Sequence, residues 1–249
     1  MTATTAGLTL ELARYVAQPR FGGEEEAACA IARTGFIDTI ATMLAGQNEP
    51  VVKLLLAHLG ATGGAAEAPV PFAGRLLPAH HAACINGVAA HALDYDDVAL
   101  SAHTSTVLVP AILAEGHRLG ASGQDALRAY VVGYEVWSEL YGRESDQYHI
   151  KGWHPTGVFG VIGAAAAVSY LNRLSVGQTR TALGIAASMA GGLVANFGTM
   201  TKPLHAGRAA SCGIEAVRLA VLGLSAADDV FEHHAGYLAA LSPAGKVDR

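Results

Sequence analysis

Three short segments hold the residues able to move protons or bind anions. The first is His91-Ala-Leu-Asp94-Tyr-Asp96-Asp97, followed by Ser101, His103, Thr104 and Ser105. Carboxylates this close repel one another, which can raise a carboxyl pKa, hold a cation or receive a positive substrate group. Asp94 and Asp97 would share a face if a helix ran through them; a solvated helix end with capping aspartates is the plainer reading of the same spacing. The second segment, Lys151-Gly-Trp-His154-Pro-Thr156-Gly, is a Gly- and Pro-bounded loop that sets an imidazole just before an apolar helix, although a lone histidine is more often structural. The third runs from Asn196 through Thr199, Thr201, Lys202 and His205 to Arg208. Lys202 and Arg208 bring positive charge, and amides at the start of the following helix can donate to a carboxylate. Ordinary helix-start chemistry accounts for the same residues.

Other chemistries fit less well. Eleven histidines include His80, His81, His91 and His103 near the aspartates, yet no HExxH or comparable ligand spacing occurs, so neither a metal nor another cofactor is expected. There is no GxSxG elbow, and Cys29, Cys84 and Cys212 each sit alone among apolar or small residues. That cysteine usage favours a reducing, cytoplasmic compartment over a disulfide framework. A net charge of −5 with scattered basic residues argues against nucleic acid. The N-terminal residues show no basic start followed by an apolar stretch, and the weakly polar run from Val158 to Val168 falls well short of the roughly 20 residues of a membrane span. Neither a leader nor a membrane partner is expected.

The elements that must position these segments are helices. Apolar residues recur every three or four positions over Leu8–Val16 and Ala28–Leu44, with a stop at Gly46-Gln-Asn-Glu-Pro50, and a short helix follows over Val51–Leu59. Residues 60–75 are rich in Gly, Ala and Pro and read as a connection with at most a short extended piece. Helices are expected over His80–Leu93, Val107–Leu119 with Pro110 near its first turn, and Ala126–Leu140 behind a Ser122…Asp125 capping box. Thr156–Leu171 reads as one buried, tightly packed helix; its glycines follow no strand and do not make a dinucleotide fingerprint. A Ser175…Gln178 box opens a helix to about Met189, Ala206–Leu222 forms the next, and Ser225-Ala-Ala-Asp228 caps a last short one. Period-two alternation is almost absent, so the 249 residues are expected to form one all-α domain. Apolar residues make up 51% and charged residues 15% of the chain, which leaves apolar surface for a partner.

Taken together, His91-Ala-Leu-Asp94-Tyr-Asp-Asp97 with His103, Gly152-Trp-His154-Pro-Thr156-Gly157 and Gly198-Thr-Met-Thr-Lys202-Pro-Leu-His205-Ala-Gly207 resemble the MmgE/PrpD family. Weaker similarity runs from about Leu8 to Ser242. The family comprises lyases and isomerases of small polycarboxylates: 2-methylcitrate dehydratases, cis-aconitate decarboxylases and iminodisuccinate epimerases. The resemblance implies a large helical domain forming one wall of a cleft. A smaller α+β lid forms the other wall; it is expected either to be absent here or to come from a separate subunit. It also implies a homodimer through the helical domain, with Asp94, His103, His154 and Lys202 in the catalytic positions. Val98 replaces a family threonine, and the His103 segment is one residue shorter than the family's.

The expected chemistry is proton transfer next to a carboxylate: dehydration, decarboxylation or epimerisation of a di- or tricarboxylate. Negative charge develops on carbon and the adjacent oxygens, and preorganised cations stabilise it. Lys202 is expected to hold carboxylate, helped by His205, Arg208, Thr201 and Asp97 as binding residues, while His103 or His154 exchanges the proton. Two alternatives stand beside this reading. One is a short paralogue recruited to another proton transfer or a cyclisation on a larger substrate. The other is a non-catalytic binding or assembly subunit of a split enzyme.

Overall fold

A computed structural model describes residues 7–249. The reading of residues 1–6 as lacking a leader lies outside the described residues. The protein is all-α. Its helices are α1 (Leu8–Ala17), α2 (Glu25–Gly46), α3 (Pro50–Ala61), α4 (Ala79–His91), α5 (Ser105–Leu119) and α6 (Gly123–Tyr141). The second half adds α7 (Pro155–Val158), α8 (Gly160–Leu171), α9 (Val176–Ser188), α10 (Thr201–Val221) and α11 (Tyr237–Leu241). Both capping boxes form as their sequences predict. Ser122 and Asp125 exchange side-chain and backbone hydrogen bonds at the start of α6, and Ser175 and Gln178 do so at α9.

Helices α4, α5, α8 and α10 pack as the interior, with α1, α2, α3, α6 and α9 outside them. Small residues make this possible. Helix α8 is Gly-Val-Ile-Gly followed by four alanines, buried along nearly its whole length. Two glycines of α10 set the closest approaches: a methyl group at Gly207 would stand 2.3 Å from the Cys84 carbonyl oxygen of α4, and one at Gly213 would stand 2.5 Å from the Ala164 Cβ of α8. Backbones this close leave no room for longer side chains and gain dense dispersion contact.

Four expectations need correction. Pro110 lies inside α5 rather than in its first turn, because the helix already begins at Ser105. The carbonyl that proline leaves without its helical donor is Thr106's, and Gly87 of α4 sits against it, close enough that a methyl group there would be 3.1 Å from the oxygen. The Thr156–Leu171 helix is broken at Phe159 into α7 and α8. No helix starts at Asp228; turns carry the chain to Gly236, and α11 follows. Within 60–75 the extended piece proves to be one arm of a hairpin, Ala68–Val70 (β1) paired antiparallel with Arg75–Leu77 (β2).

Helix α2 has the length and apolar content of a membrane span, which the sequence reading did not register. It packs on α4, α5 and α6, and Thr39, Thr42 and Met43 are buried. The segment before α11 is tied to α1 by Glu232, whose carboxylate accepts from the Thr9 amide and hydroxyl. Lys151, in the second polar segment, donates to the carbonyls of Ala240 and Ser242 and therefore closes the end of α11.

If backbone contact at Gly207 holds α4 to α10, Gly207→Ala should lose about 1–3 kcal/mol despite the better helix propensity of alanine. Gly177→Ala, where nothing lies within 4 Å of the added methyl, should be neutral or stabilising. Urea unfolding of the two variants checks the contrast.

Candidate active site

Helix α4 ends at His91 and α10 begins at Thr201, so their tight crossing brings one end of each to the same place. The loops between carry the remaining polar residues, and backbone bonds lace the loops together. The His103 amide donates to Thr156 Oγ1 at 3.0 Å, the His154 amide to the Gly192 carbonyl at 3.1 Å, and the Val194 amide to the Gly152 carbonyl at 2.9 Å.

The three aspartates solve their mutual repulsion by pointing apart. The helix does not continue through them, so Asp94 and Asp97 share no face. Asp94 takes a left-handed backbone conformation (φ 57), which aspartate tolerates better than most residues, and its carboxylate turns outward to pair with Lys202. Asp96 turns inward and is fully buried. Its oxygens accept from His91 Nδ1 at 3.0 and 3.1 Å, and Oδ2 also meets His103 Nδ1 at 3.0 Å, an ion pair at hydrogen-bond distance without hydrogen-bond alignment. Asp97 goes a third way, accepting from the Ser105 amide and hydroxyl at the start of α5. Burial raises its carboxyl, with Asp38 and Asp96 adding to the effect against the Ser105 bonds.

His103 arrives by a tight turn. Ala99 and Ala102 exchange both backbone bonds across Leu100 and Ser101, whose φ values are 54 and 52. Two successive left-handed residues are the signature of a type I′ turn, strained at leucine. The imidazole then stands between two carboxylates, Asp96 on Nδ1 and Asp94 on Nε2 at 3.5 Å. Burial alone would lower its pKa, but Asp96 reverses this and Asp94 adds to it, so His103 is raised above the ordinary histidine value despite nearby Lys202. Asp96 is held well below the carboxylate range: its burial is outweighed by His103 and His91.

His154 is the opposite case. It is 2% exposed, its Nδ1 faces the Nδ1 of His205 at 3.0 Å, and its ring stacks against His91 at 6.1 Å and meets the edge of Phe197 at 4.8 Å. Burial first, then the neighbouring His91, His205, Lys202 and His103, push its pKa down to about 2. His205 is lowered for the same reason, burial with His91 beside it. Of two facing Nδ1 atoms one must donate and the other accept, which two uncharged imidazoles can do and two imidazolium ions cannot. The site thus sets His103, pushed towards its charged form, against a pair pushed towards the uncharged form.

The structure therefore brings together Asp94, His103, His154, Lys202 and His205; of these, Asp94 and Lys202 line a cleft of about 290 Å³ together with His91, Thr199, Met200 and Glu49. Three expected binding residues lie apart. Asp97 serves the start of α5. Thr201 opens α10, its amide donating to Thr199 Oγ1. Arg208 is exposed, and its charge acts on Cys84 and Cys212 instead. His80 and His81 are at the far end of α4, next to Glu215 and Thr62. Two residues absent from the expected site belong in it: His91 and Asp96. The sequence places an imidazole five residues before the middle carboxylate, with His103 downstream, but burial is what singles this pair out.

Donor atoms of His91, Asp94, Asp96 and His103 all fall within 4.8 Å of one another, which invites a metal reading. The donors are already engaged with each other, and Asp94 holds the Lys202 ammonium. A cation placed there would stand against that ammonium, so the set fits an ion-pair network better than a metal.

A family model described as the MmgE/PrpD N-terminal domain matches residues 10–249. The chain belongs to the MmgE/PrpD family. The curated relatives it matches include the cis-aconitate decarboxylase of Homo sapiens, 43% identical over 168 residues, covering 65% of this chain and 35% of the relative. The mouse cis-aconitate decarboxylase is 41% identical over 167 residues, covering 65% and 34%. That of Aspergillus terreus (strain NIH 2624 / FGSC A1156) is 32% identical over 167 residues, covering 62% and 34%. The chain thus matches about a third of the length of these relatives.

His154 fixes the sign of one pH effect. A histidine whose folded pKa lies below its unfolded value near 6.5 supports the fold above that pH and undermines it below, because only the unfolded chain takes up the proton. Stability should fall as pH drops below about 6.5, with His154 contributing up to about 1.4 kcal/mol per pH unit. Asp96 does not oppose this in the same window, since its contribution is lost only near and below the ordinary carboxyl value. In His154→Asn the slope between pH 6 and 4.5 should be visibly shallower in denaturant titrations.

Proposed function

We propose that this chain carries the helical wall of a lyase that acts next to a carboxylate on a small di- or tricarboxylate, with decarboxylation the favoured reaction. Proton transfer alone, as in epimerisation or dehydration, draws on the same groups. One observation supports the reading above the others: an ammonium, Lys202, and a doubly paired imidazolium, His103, meet at the same carboxylate, Asp94, beside an open cleft. These are the two charges that loss of carbon dioxide calls for. The cis-aconitate decarboxylase relatives support the same choice.

Lys202 holds a substrate carboxylate that is retained. The bond to the departing carboxylate breaks and carbon dioxide leaves; the bonding pair stays on carbon and spreads towards the adjoining unsaturated or carboxylate group. His103 delivers the proton from Nε2 to carbon and regains one from solvent. Cations already in place when charge develops need no reorganisation, which is where such groups are worth most. His154 and His205, paired with each other and pushed towards the uncharged form, stand beside these groups without repelling Lys202.

On the loops that carry the site residues, Tyr95, Val98, Ile150, Leu193, Phe197 and Met200 are exposed, five of them by more than half of their surface. In the proposed enzyme this apolar rim is covered by a lid, whether from a further stretch of polypeptide or a separate subunit. Water exclusion by such a cover strengthens every charge inside it. The exposed Ile31 and Ile37 of α2 are the proposed homodimer contact. The unpaired, buried cysteines suit the cytoplasmic setting proposed for it.

The test is turnover of cis-aconitate, citrate, methylcitrate and iminodisuccinate in heavy water, read by NMR. The expected result is product carrying one solvent deuterium, at the carbon that lost its carboxylate or, where the bonding pair has moved through an adjoining double bond, at the far end of that bond. Lys202→Ala and His103→Gln should each reduce the rate about 10²- to 10⁴-fold. Unchanged rates in both variants would remove the basis of the proposal.

A further inference from the structure

Asp96 takes no part in the step above. Its carboxylate is fully buried and cannot touch a substrate. It nevertheless organises the groups that do, because it is the one carboxylate that His91 and His103 share. His91 is itself buried, gives its Nδ1 proton to Asp96, and leaves Nε2 without a partner against the stacked ring of His154. A bare nitrogen lone pair tolerates that place; an N–H without an acceptor would not, at about 1–3 kcal/mol. His91 is therefore fixed in the Nδ1–H tautomer. One proton donor is fully committed, and the remaining negative charge of Asp96 is directed at His103.

We propose that Asp96 is a positioning residue: shared between His91 and His103, it holds His103 as the imidazolium with Nε2 turned to Asp94, and His91 limits how strongly it does so. This rests on the reading of His103 as the proton donor. The groups facing His103 are Asp96 on Nδ1, Asp94 on Nε2, Lys202 beyond Asp94, the His91 ring at 4.4 Å, and the charge-sensitive His154. The two carboxylates favour the cation, and Lys202 opposes it. Of the carboxylates, Asp94 is half exposed and neutralised by Lys202, so the buried Asp96 is the one able to set the charge of His103. An aspartate behind a histidine serves here to keep a proton on the ring, not to help it take one.

The sign of the effect separates this role from general structural damage. Asp96→Asn removes the charge, and its amide can donate to His103 Nδ1, so the His103 midpoint should fall to or below the ordinary histidine value. His91→Leu removes the competing donor and leaves the whole carboxylate to His103, so the midpoint should rise above that of the unmodified chain. Both are read by NMR titration of ring-labelled histidines in the 249-residue chain without substrate. Opposite displacements are the expected result. No displacement in Asp96→Asn, or displacement of both variants in one direction, overturns the proposal. Should Asp96→Asn fail to fold, His91→Leu decides alone, since a lowered midpoint there contradicts the competition for Asp96.

Activity gives the second readout. The alkaline limb of kcat/KM, lost as pH rises through the His103 midpoint, should move to lower pH in Asp96→Asn and to higher pH in His91→Leu. A chain inactive on every tested acid whose His103 still moves in both directions fails the functional reading alone. Active enzyme with an immobile His103 fails this proposal alone.

Discussion

The contact that the rest of the molecule depends on is the crossing of α4 and α10, backbone against backbone at Gly207 and Cys84. Helix α4 delivers His91 from its last turn, and α10 delivers Lys202 and His205 from its first two. An added side chain at the crossing would push these ends apart and separate Lys202 from Asp94. The apolar interior and the polar site are thus consequences of one geometry. Small residues permit the close approach, and the same approach places a helix C-terminus beside a helix N-terminus. The Thr201 and Lys202 amides are taken by Thr199 and Pro203 has none, so the charge offered to an anion there is the Lys202 ammonium.

Around that frame, the chemistry is decided by how charge is divided among three adjacent aspartates. Each takes a different environment and a different partner: Asp94 outward to Lys202, Asp96 inward to two imidazoles, Asp97 to the start of α5. The left-handed turn at Asp94 and the strained pair Leu100-Ser101 are what separate them and bring His103 back over Asp96. Strain placed next to reacting groups is common, since the surrounding structure must overdetermine it. Here the lacing of Thr156 to the His103 amide, and of Gly192 to His154, supplies that constraint.

The helices were legible because their signals are local. Periodicity and two capping boxes predict α6 and α9 almost to the residue, since a capping box is settled by four neighbouring side chains. Pro110 was misplaced because α5 begins at Ser105, two residues before the apolar run that marked it, at polar residues whose helical start no periodicity announces. The turns after Asp228 replace the expected helix because Glu232 and Phe231 are claimed by Thr9, more than 200 residues away in sequence. In the site, Asp94, His103, His154 and Lys202 could be named from motif, and the structure brings them together. Asp96 and His91 could not be ranked by spacing alone: their importance comes from burial, which is a tertiary property. Arg208 was selected for its charge, but its helical position turns it away from Lys202.

The four histidines of the site show why residue type alone underdetermines chemistry. His103 and His154 are both largely shielded from solvent, and burial presses both towards the uncharged form. Only His103 has a carboxylate on each nitrogen, and this reverses the outcome. Had both been charged, two imidazolium ions and Lys202 would crowd one small cleft, and their repulsion would oppose closure as strongly as it attracted substrate. Had both been uncharged, no proton would be in position when the carbon–carbon bond breaks. A single buried carboxylate, divided unequally between His91 and His103, favours one acid beside histidines pushed the other way, with the Lys202 ammonium held at Asp94 on the edge of the cleft.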